Sequence, residues 1–183
     1  MKAHGTPLAD LMLIETAPIQ DQRGSFIRVF CETECVELRP YLHWVQINLS
    51  STSLKGTIRG MHFQSPPAAE AKLIRCLQGR VFDVAVDLRA GSPTFLHWHG
   101  VELSENNSMQ LFIPEGFAHG FQTLTDDAQL LYLHTAAWNR AHEGGVRHDD
   151  PVLAIAWPLP VTQVSGKDRD FPLLTAAFAG IEL

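Results

Sequence analysis

A chain of 183 residues has room for one domain and not for two of ordinary size. With 45% hydrophobic and 19% charged residues it can build a real core, which excludes global disorder. A formal net charge of -6 argues against wholesale binding to nucleic acid or to an anionic membrane surface, so an anionic ligand would have to be held by local cations.

The three cysteines, Cys31, Cys35 and Cys76, are odd in number and contain no Cys-x-x-Cys pair. They fit a reducing cytoplasm better than a disulfide framework. Met1 to Pro7 has no apolar stretch of the signal-peptide kind, and no run approaches the ~18 apolar residues of a membrane span. The expectation is a soluble cytoplasmic protein with residues 1–183 in a single domain.

In chain order, the pattern predicts a short helix around 32–38. Strands are then predicted over 44–50, 56–63, 71–77, 79–88, 94–103, 110–113, 120–124 and 129–134. The clearest strand is 79–88, with Phe82, Val84, Val86 and Leu88 on one face and Val81, Asp83, Ala85 and Asp87 on the other. Arg89-Ala90-Gly91-Ser92-Pro93 reads as a turn. Beyond Pro151 a proline-rich tail is expected to wrap the molecule. Many short strands without a long amphipathic helix predict an all-β sandwich or barrel and argue against a doubly wound α/β fold. Such a barrel offers an interior lined by alternate side chains, so inward polar residues are the ones to examine for chemistry.

Four groups qualify. Within Arg59-Gly60-Met61-His62-Phe63-Gln64, strict alternation places Ile58, Gly60, His62 and Gln64 on one face and Arg59, Met61 and Phe63 on the other. Gly60 would let a ligand come close to the backbone. Taken alone, His62 reads as a hydrogen-bonded core residue. Pro114-x-Gly116 opens a turn into a strand carrying His119, which by itself could simply cap loop backbone. His97 and His99 share one strand face, and with His119 they could form a three-histidine metal site or a solvated edge. The set Lys72, Tyr132, Lys167 and Asp168 is ordinary residue by residue. Together with a histidine it supplies what inversion beside a ketone requires. A base must stand on one face, an acid on the other, and a cation near the oxygen on which enolate charge develops. Histidine suits the base, since its ordinary pKa of ~6.5 lies near working pH, and a carboxylate behind it would fix its tautomer.

The ordered motifs resemble the dTDP-4-dehydrorhamnose 3,5-epimerase family, a cupin family of deoxysugar biosynthesis. The matching segments include Asp21 to Phe26, Gln46 to Ser50, Lys55 to Gln64, Lys72-Leu73 and Val81 to Arg89. Gly91 to Phe95, Ile113 to Phe121, Asp150-Pro151, Trp157-Pro158 and Ser165 to Asp168 complete them, in family order from roughly Asp21 to Pro172. The resemblance implies a cupin-type jelly-roll β-barrel with short peripheral helices. It implies an epimerase that inverts C3, C5 or both in a nucleotide-linked 4-keto-6-deoxyhexose, without cofactor or metal. By the same resemblance His62 is the base, Asp168 its carboxylate partner, Tyr132 the acid and Lys72 the cation near the keto oxygen. His119 and Arg59 fall in the sugar and phosphate region, Gln46 and Asn48 line the nucleotide site, and Lys167 and Trp138 are further substrate-binding candidates. Arg23 and Phe26 hold the nucleotide from the partner subunit of a homodimer. Two positions depart from the family pattern: Arg28 stands where a glutamate is usual, and Trp138 where a second tyrosine is usual.

Two other readings compete. A metal-dependent cupin, an oxygenase or isomerase, would use His97, His99 and His119, whose spacing after Gly91 and around Pro114-x-Gly116 mimics the metal-binding pattern. The region of His97 and His99 is not a ligand site in the family resembled. A binding or regulatory cupin would keep the pocket without turnover, but would have no need of an acid and a base on opposite faces.

Overall fold

The computed structural model describes residues 1–35 and 42–183. In chain order the elements are β1 (Lys2–Gly5), β2 (Met12–Glu15), β3 (Ile19–Asp21), β4 (Gly24–Phe26), α1 (Glu32–Cys35), β5 (Gln46–Thr52), β6 (Ile58–Gln64) and β7 (Lys72–Gln78). There follow β8 (Arg80–Asp87), β9 (Trp98–Ser104), β10 (Met109–Ile113), β11 (Phe117–Thr123), β12 (Ala128–His134), β13 (Glu143–Gly145) and α2 (Gly166–Arg169). Two antiparallel sheets result, one ordered β1-β2-β10-β7-β12-β5 and the other β13-β6-β11-β8-β9, with β3 and β4 forming a separate hairpin. This is the jelly-roll architecture of the cupins, with two short helices at its periphery among the described residues. No helix among the described residues is long and apolar enough to cross a membrane.

Alternation along the strands sorts three apolar clusters. Val81 and Ala85 of β8 point between the sheets and join Ile74, Leu111, Phe117, Phe121 and Leu130 in the central core. Val84, Val86 and Leu88 point outward and are covered by Leu153, Ile155, Phe178 and Ile181 of the C-terminal tail. The tail therefore wraps the five-stranded sheet, as its composition predicts. Asp150, 1% exposed, pins it by accepting from the N–H groups of Val152 and Leu174. On the far side, Ile14, Leu73, Phe112 and Leu133 are covered by Phe30, Leu42 and Trp44. The central strands β7, β8, β10 and β11 are buried on both faces over most of their length, which explains why they read as nearly continuous apolar runs.

The predicted strands are present with shifted ends. The fifth predicted strand starts at Trp98 rather than at residue 94. Bonds from the N–H of Phe95 to the Ser92 carbonyl and from that of His97 to the Thr94 carbonyl, with Leu96 at φ +61°, extend the turn. Buried Asp87 accepts from Arg89, Ser92 and Thr94 and holds that turn shut. The predicted helix survives over Glu32–Cys35, and its remainder, 36–38, lies outside the described residues.

Candidate active site

One end of the space between the sheets is apolar, and the other is a polar cavity of about 590 Å³, a volume usual for small-molecule sites. His62, Lys72, Tyr132 and Asp168 all line it, as do Asn48, Arg59, His119, Trp138 and Lys167. The six-stranded sheet contributes Asn48 and Ser50 from β5, Lys72 from β7, and from β12 Tyr132 and His134, which share a face two positions apart.

Strict alternation fails on β6. His62 pairs with His119 and Arg59 with Phe121, so three steps on β6 answer two on β11. That bulge turns Arg59 and His62 toward the same cavity, although the sequence pattern puts them on opposite faces. Met61 instead enters the outer cluster. Gly60 lies at the bulge with φ +118°, and a Cβ there would stand 2.5 Å from the Gly120 Cα and 2.7 Å from the His119 carbonyl oxygen. The close approach expected at Gly60 is thus made by the neighbouring strand and not by a ligand.

His62 Nε2 lies 2.7 Å from Asp168 Oδ1. A carboxylate only accepts, so Nε2 carries the hydrogen and Nδ1 keeps the lone pair. Asp168 arrives from far along the chain on α2, where Ser165 caps the helix by accepting from the Asp168 N–H. Its other oxygen accepts from the Gly60 N–H at 3.2 Å. Burial alone would raise the Asp168 pKa, but the His62 hydrogen bond and charge, with the Gly60 and Ser165 contacts, hold it below the usual carboxylate range.

A second imidazole–carboxylate pair lies beside the first. His119 Nε2 is 2.9 and 3.0 Å from the two oxygens of Asp83, which is fully buried. Tyr132 stands with its ring edge-on to His119 and stacked parallel on His134, at centroid distances of 5.9 and 6.0 Å. Burial, then the Asp83 carboxylate, push the Tyr132 phenol well above its usual pKa, so it holds its proton at neutral pH. Lys72, 9% exposed in its side chain, donates toward the His62 carbonyl at 3.4 Å and pairs with Glu70 at 3.3 Å. Lys167 pairs with Glu143 at 2.6 Å. Arg59 donates only to the Thr52 hydroxyl and the Ser51 carbonyl, and so has no carboxylate partner among the described residues.

The remaining candidates lie at the rim of the cavity or away from it. Trp138, 57% exposed, sits at the rim with its backbone N–H donating to the Gln46 side chain. Arg23 and Phe26 are on the β3–β4 hairpin, outside the cavity lining, with Arg23 paired to Asp21 of the same hairpin. Arg28 pairs with Glu34, which also takes the N-terminal amine. The three-histidine metal alternative is not assembled: no group of three His, Cys, Asp or Glu side chains among the described residues is placed to hold a metal. His97 belongs to the turn rather than to β9, and His119 is committed to Asp83.

Sequence reasoning missed Asp83, Glu70 and His134 as site residues. Asp83 carried a signal, being a charge on a strand face otherwise apolar at Val81 and Ala85. His134 shares the face of Tyr132 two residues away. Glu70 lies just before β7 and gave none.

Comparison with known proteins agrees with this geometry. The family model described as dTDP-4-dehydrorhamnose 3,5-epimerase matches residues 5–176. The dTDP-4-dehydrorhamnose 3,5-epimerase of Sinorhizobium fredii is 44% identical over 91% of this chain and 86% of its own. A dTDP-4-dehydrorhamnose 3-epimerase of Streptomyces niveus is 41% identical over 86% and 76%. The structure of the Legionella pneumophila dTDP-6-deoxy-D-glucose-3,5-epimerase, in complex with dTDP-4-keto-L-rhamnose, superposes with a TM-score of 0.93 at 40% identity, covering 100% of this chain and 98% of that one. By sequence and by fold, this chain belongs to the dTDP-4-dehydrorhamnose 3,5-epimerase family.

Proposed function

We propose that the chain inverts C3 and C5 of a dTDP-linked 4-keto-6-deoxyhexose by stepwise proton transfer, with His62 as base and Tyr132 as acid. The observation that carries this reading is a single cavity containing an imidazole backed by a carboxylate, a protonated phenol and a buried ammonium. His62 Nδ1 takes the proton from the carbon beside the C4 ketone. The electron pair moves into the enolate, whose oxygen is stabilised by the Lys72 ammonium. Tyr132 then delivers its proton to the opposite face of that carbon, and solvent restores both groups. A Tyr132 pKa raised by burial keeps the donor protonated until it is used.

Arg59, with no carboxylate partner among the described residues, is the natural partner of the diphosphate. Lys72 and Lys167 are each already matched by a glutamate. Asn48, Gln46 and Trp138 lie toward the rim, where the nucleoside would extend. Arg23 and Phe26 do not line the cavity of their own chain, and we assign them to the site of a partner subunit in a homodimer. The exposed side chains of Ile19 and Phe26 on the hairpin and of Ile47 and Leu49 on edge strand β5 supply apolar surface for that association. Three free cysteines suit the reducing cytoplasm in which such a dimer of 183-residue chains would work.

The test is incubation with dTDP-4-keto-6-deoxyglucose in D2O, followed by NMR at C3 and C5. Deuterium at both carbons with inversion is expected. Label at C3 alone would make the protein a 3-epimerase, with Trp138 the first residue to examine. Tight binding with no exchange at either carbon would overturn the catalytic reading.

A further inference from the structure

We infer that Glu70 and His134 form a positioning unit for the acid side of this site, setting where Tyr132 and Lys72 stand. The inference rests on the epimerase reading above and adds two residues that reading does not use. Glu70 has two oxygens and two partners. Oε2 lies 2.8 Å from His134 Nδ1, and Oε1 lies 3.3 Å from the Lys72 ammonium. All three side chains are nearly sealed, at 8, 9 and 9% exposure for Glu70, His134 and Lys72. The other ring nitrogen of His134 faces the Asn48 side-chain amide at 3.2 Å. An imidazole held at both nitrogens cannot swing, and Tyr132 stacks on it with only 13° between the planes.

The phenol is therefore clamped between two anchored imidazoles, His119 held by Asp83 and His134 held by Glu70. Only the second anchor also holds the ammonium. One carboxylate thus fixes the relative position of the proton donor and of the charge that stabilises the enolate. Misplacing a reacting group by about 1 Å can cost on the order of 10²-fold in rate. Glu70 also determines the His134 tautomer: a carboxylate at Nδ1 places the hydrogen there, leaving Nε2 to accept from Asn48. A contact at the rim is coupled in this way to the reacting groups within.

Glu70→Gln is the discriminating change, because it keeps the shape but leaves one acceptor oxygen where two donors need one. The amide oxygen goes to Lys72, and the amide N–H group then faces His134 Nδ1, which must give up its hydrogen. In wild-type protein the ¹⁵N imidazole shifts of His134 are expected to report hydrogen on Nδ1, and in Glu70→Gln on Nε2. With substrate in D2O, His62 still removes the proton, but reprotonation from the Tyr132 face slows. The ratio of exchange with retention to inversion should rise severalfold, while overall inversion falls about 10–100-fold. His134→Ala should raise the same ratio, and His134→Phe, which keeps the stacking surface, should recover part of it. Unchanged ratios in Glu70→Gln and His134→Ala would overturn the proposal even if kcat fell, since a loss of folded protein lowers both processes together. No exchange by wild-type protein would sink the epimerase reading and this proposal with it, whereas normal wild-type turnover with unaltered variants would sink this proposal alone.

Discussion

The site contains two imidazole–carboxylate pairs that differ in their surroundings. His62 is 33% exposed to the cavity, and its carboxylate comes from a helix 106 residues away that closes over the sheet late in the chain. His119 is 5% exposed and sits astride both oxygens of Asp83, on adjacent strands of the same sheet. The first pair ties up Nε2 alone and leaves the His62 ring partly exposed in the cavity, which is what a base needs. The second commits its carboxylate to a sealed, two-point contact, which is what a fixed donor or a wall needs. The same two side chains are thus given different work by burial and by the number of points at which they are held.

Changes at the first pair should break chemistry with little effect on folding. His62→Asn is expected to lower inversion and solvent exchange together by about 10²–10⁴-fold, read by NMR in D2O, with the melting temperature nearly kept. Asp168→Asn should lower both by about 10²–10⁴-fold as well, because an amide that donates to Nε2 moves the hydrogen to Nδ1, where the lone pair is needed. Wild-type exchange in His62→Asn would remove it as the base and promote His119. Changes at the second pair should sharpen the contrast from the other side. Asp83→Ala leaves His119 without its buried acceptor and should cost ~1–3 kcal/mol in urea unfolding, with a smaller loss of activity than Asp168→Asn. Equal activity losses at the two aspartates would mean that both pairs take part in proton transfer.

The amino-acid pattern alone carries part of this division. Alternation along 79–88 separates Val81 and Ala85 from Val84 and Val86 correctly, because both faces of β8 are buried in distinct clusters. The same rule misplaces Arg59 because the β6–β11 bulge depends on Gly120 of the neighbouring strand, and no local pattern records a partner. Strands of three or four residues, β1 to β4 and β13, escape for a similar reason: pairing creates them, not propensity. Motif order drew His62 and Asp168 together across 106 residues, something spacing alone could not do. Asp83, Glu70 and His134 emerge only in three dimensions, since a carboxylate becomes a partner only when an imidazole nitrogen lies within about 3 Å of it.

The smallest expected effect also separates the pairs. The carboxyl of Asp168 is held below the usual range by its contacts with His62, Gly60 and Ser165, which outweigh the opposing effect of burial. For a depressed carboxylate, the stabilisation is fully present above the unfolded pKa of about 3.9 and is lost as pH falls through the lower folded value. Above that range the ionised Asp168 carboxylate is fully formed, and its contacts contribute to stability. In acid the contribution fades. Melting curves of wild-type protein and Asp168→Asn should run apart in neutral buffers and converge below about pH 4. An interval that persists undiminished into strong acid would mean that Asp168 acts through the shape of its hydrogen bonds to Gly60 and Ser165 and not through its charge. The role of the first pair would then be closer to that of the second.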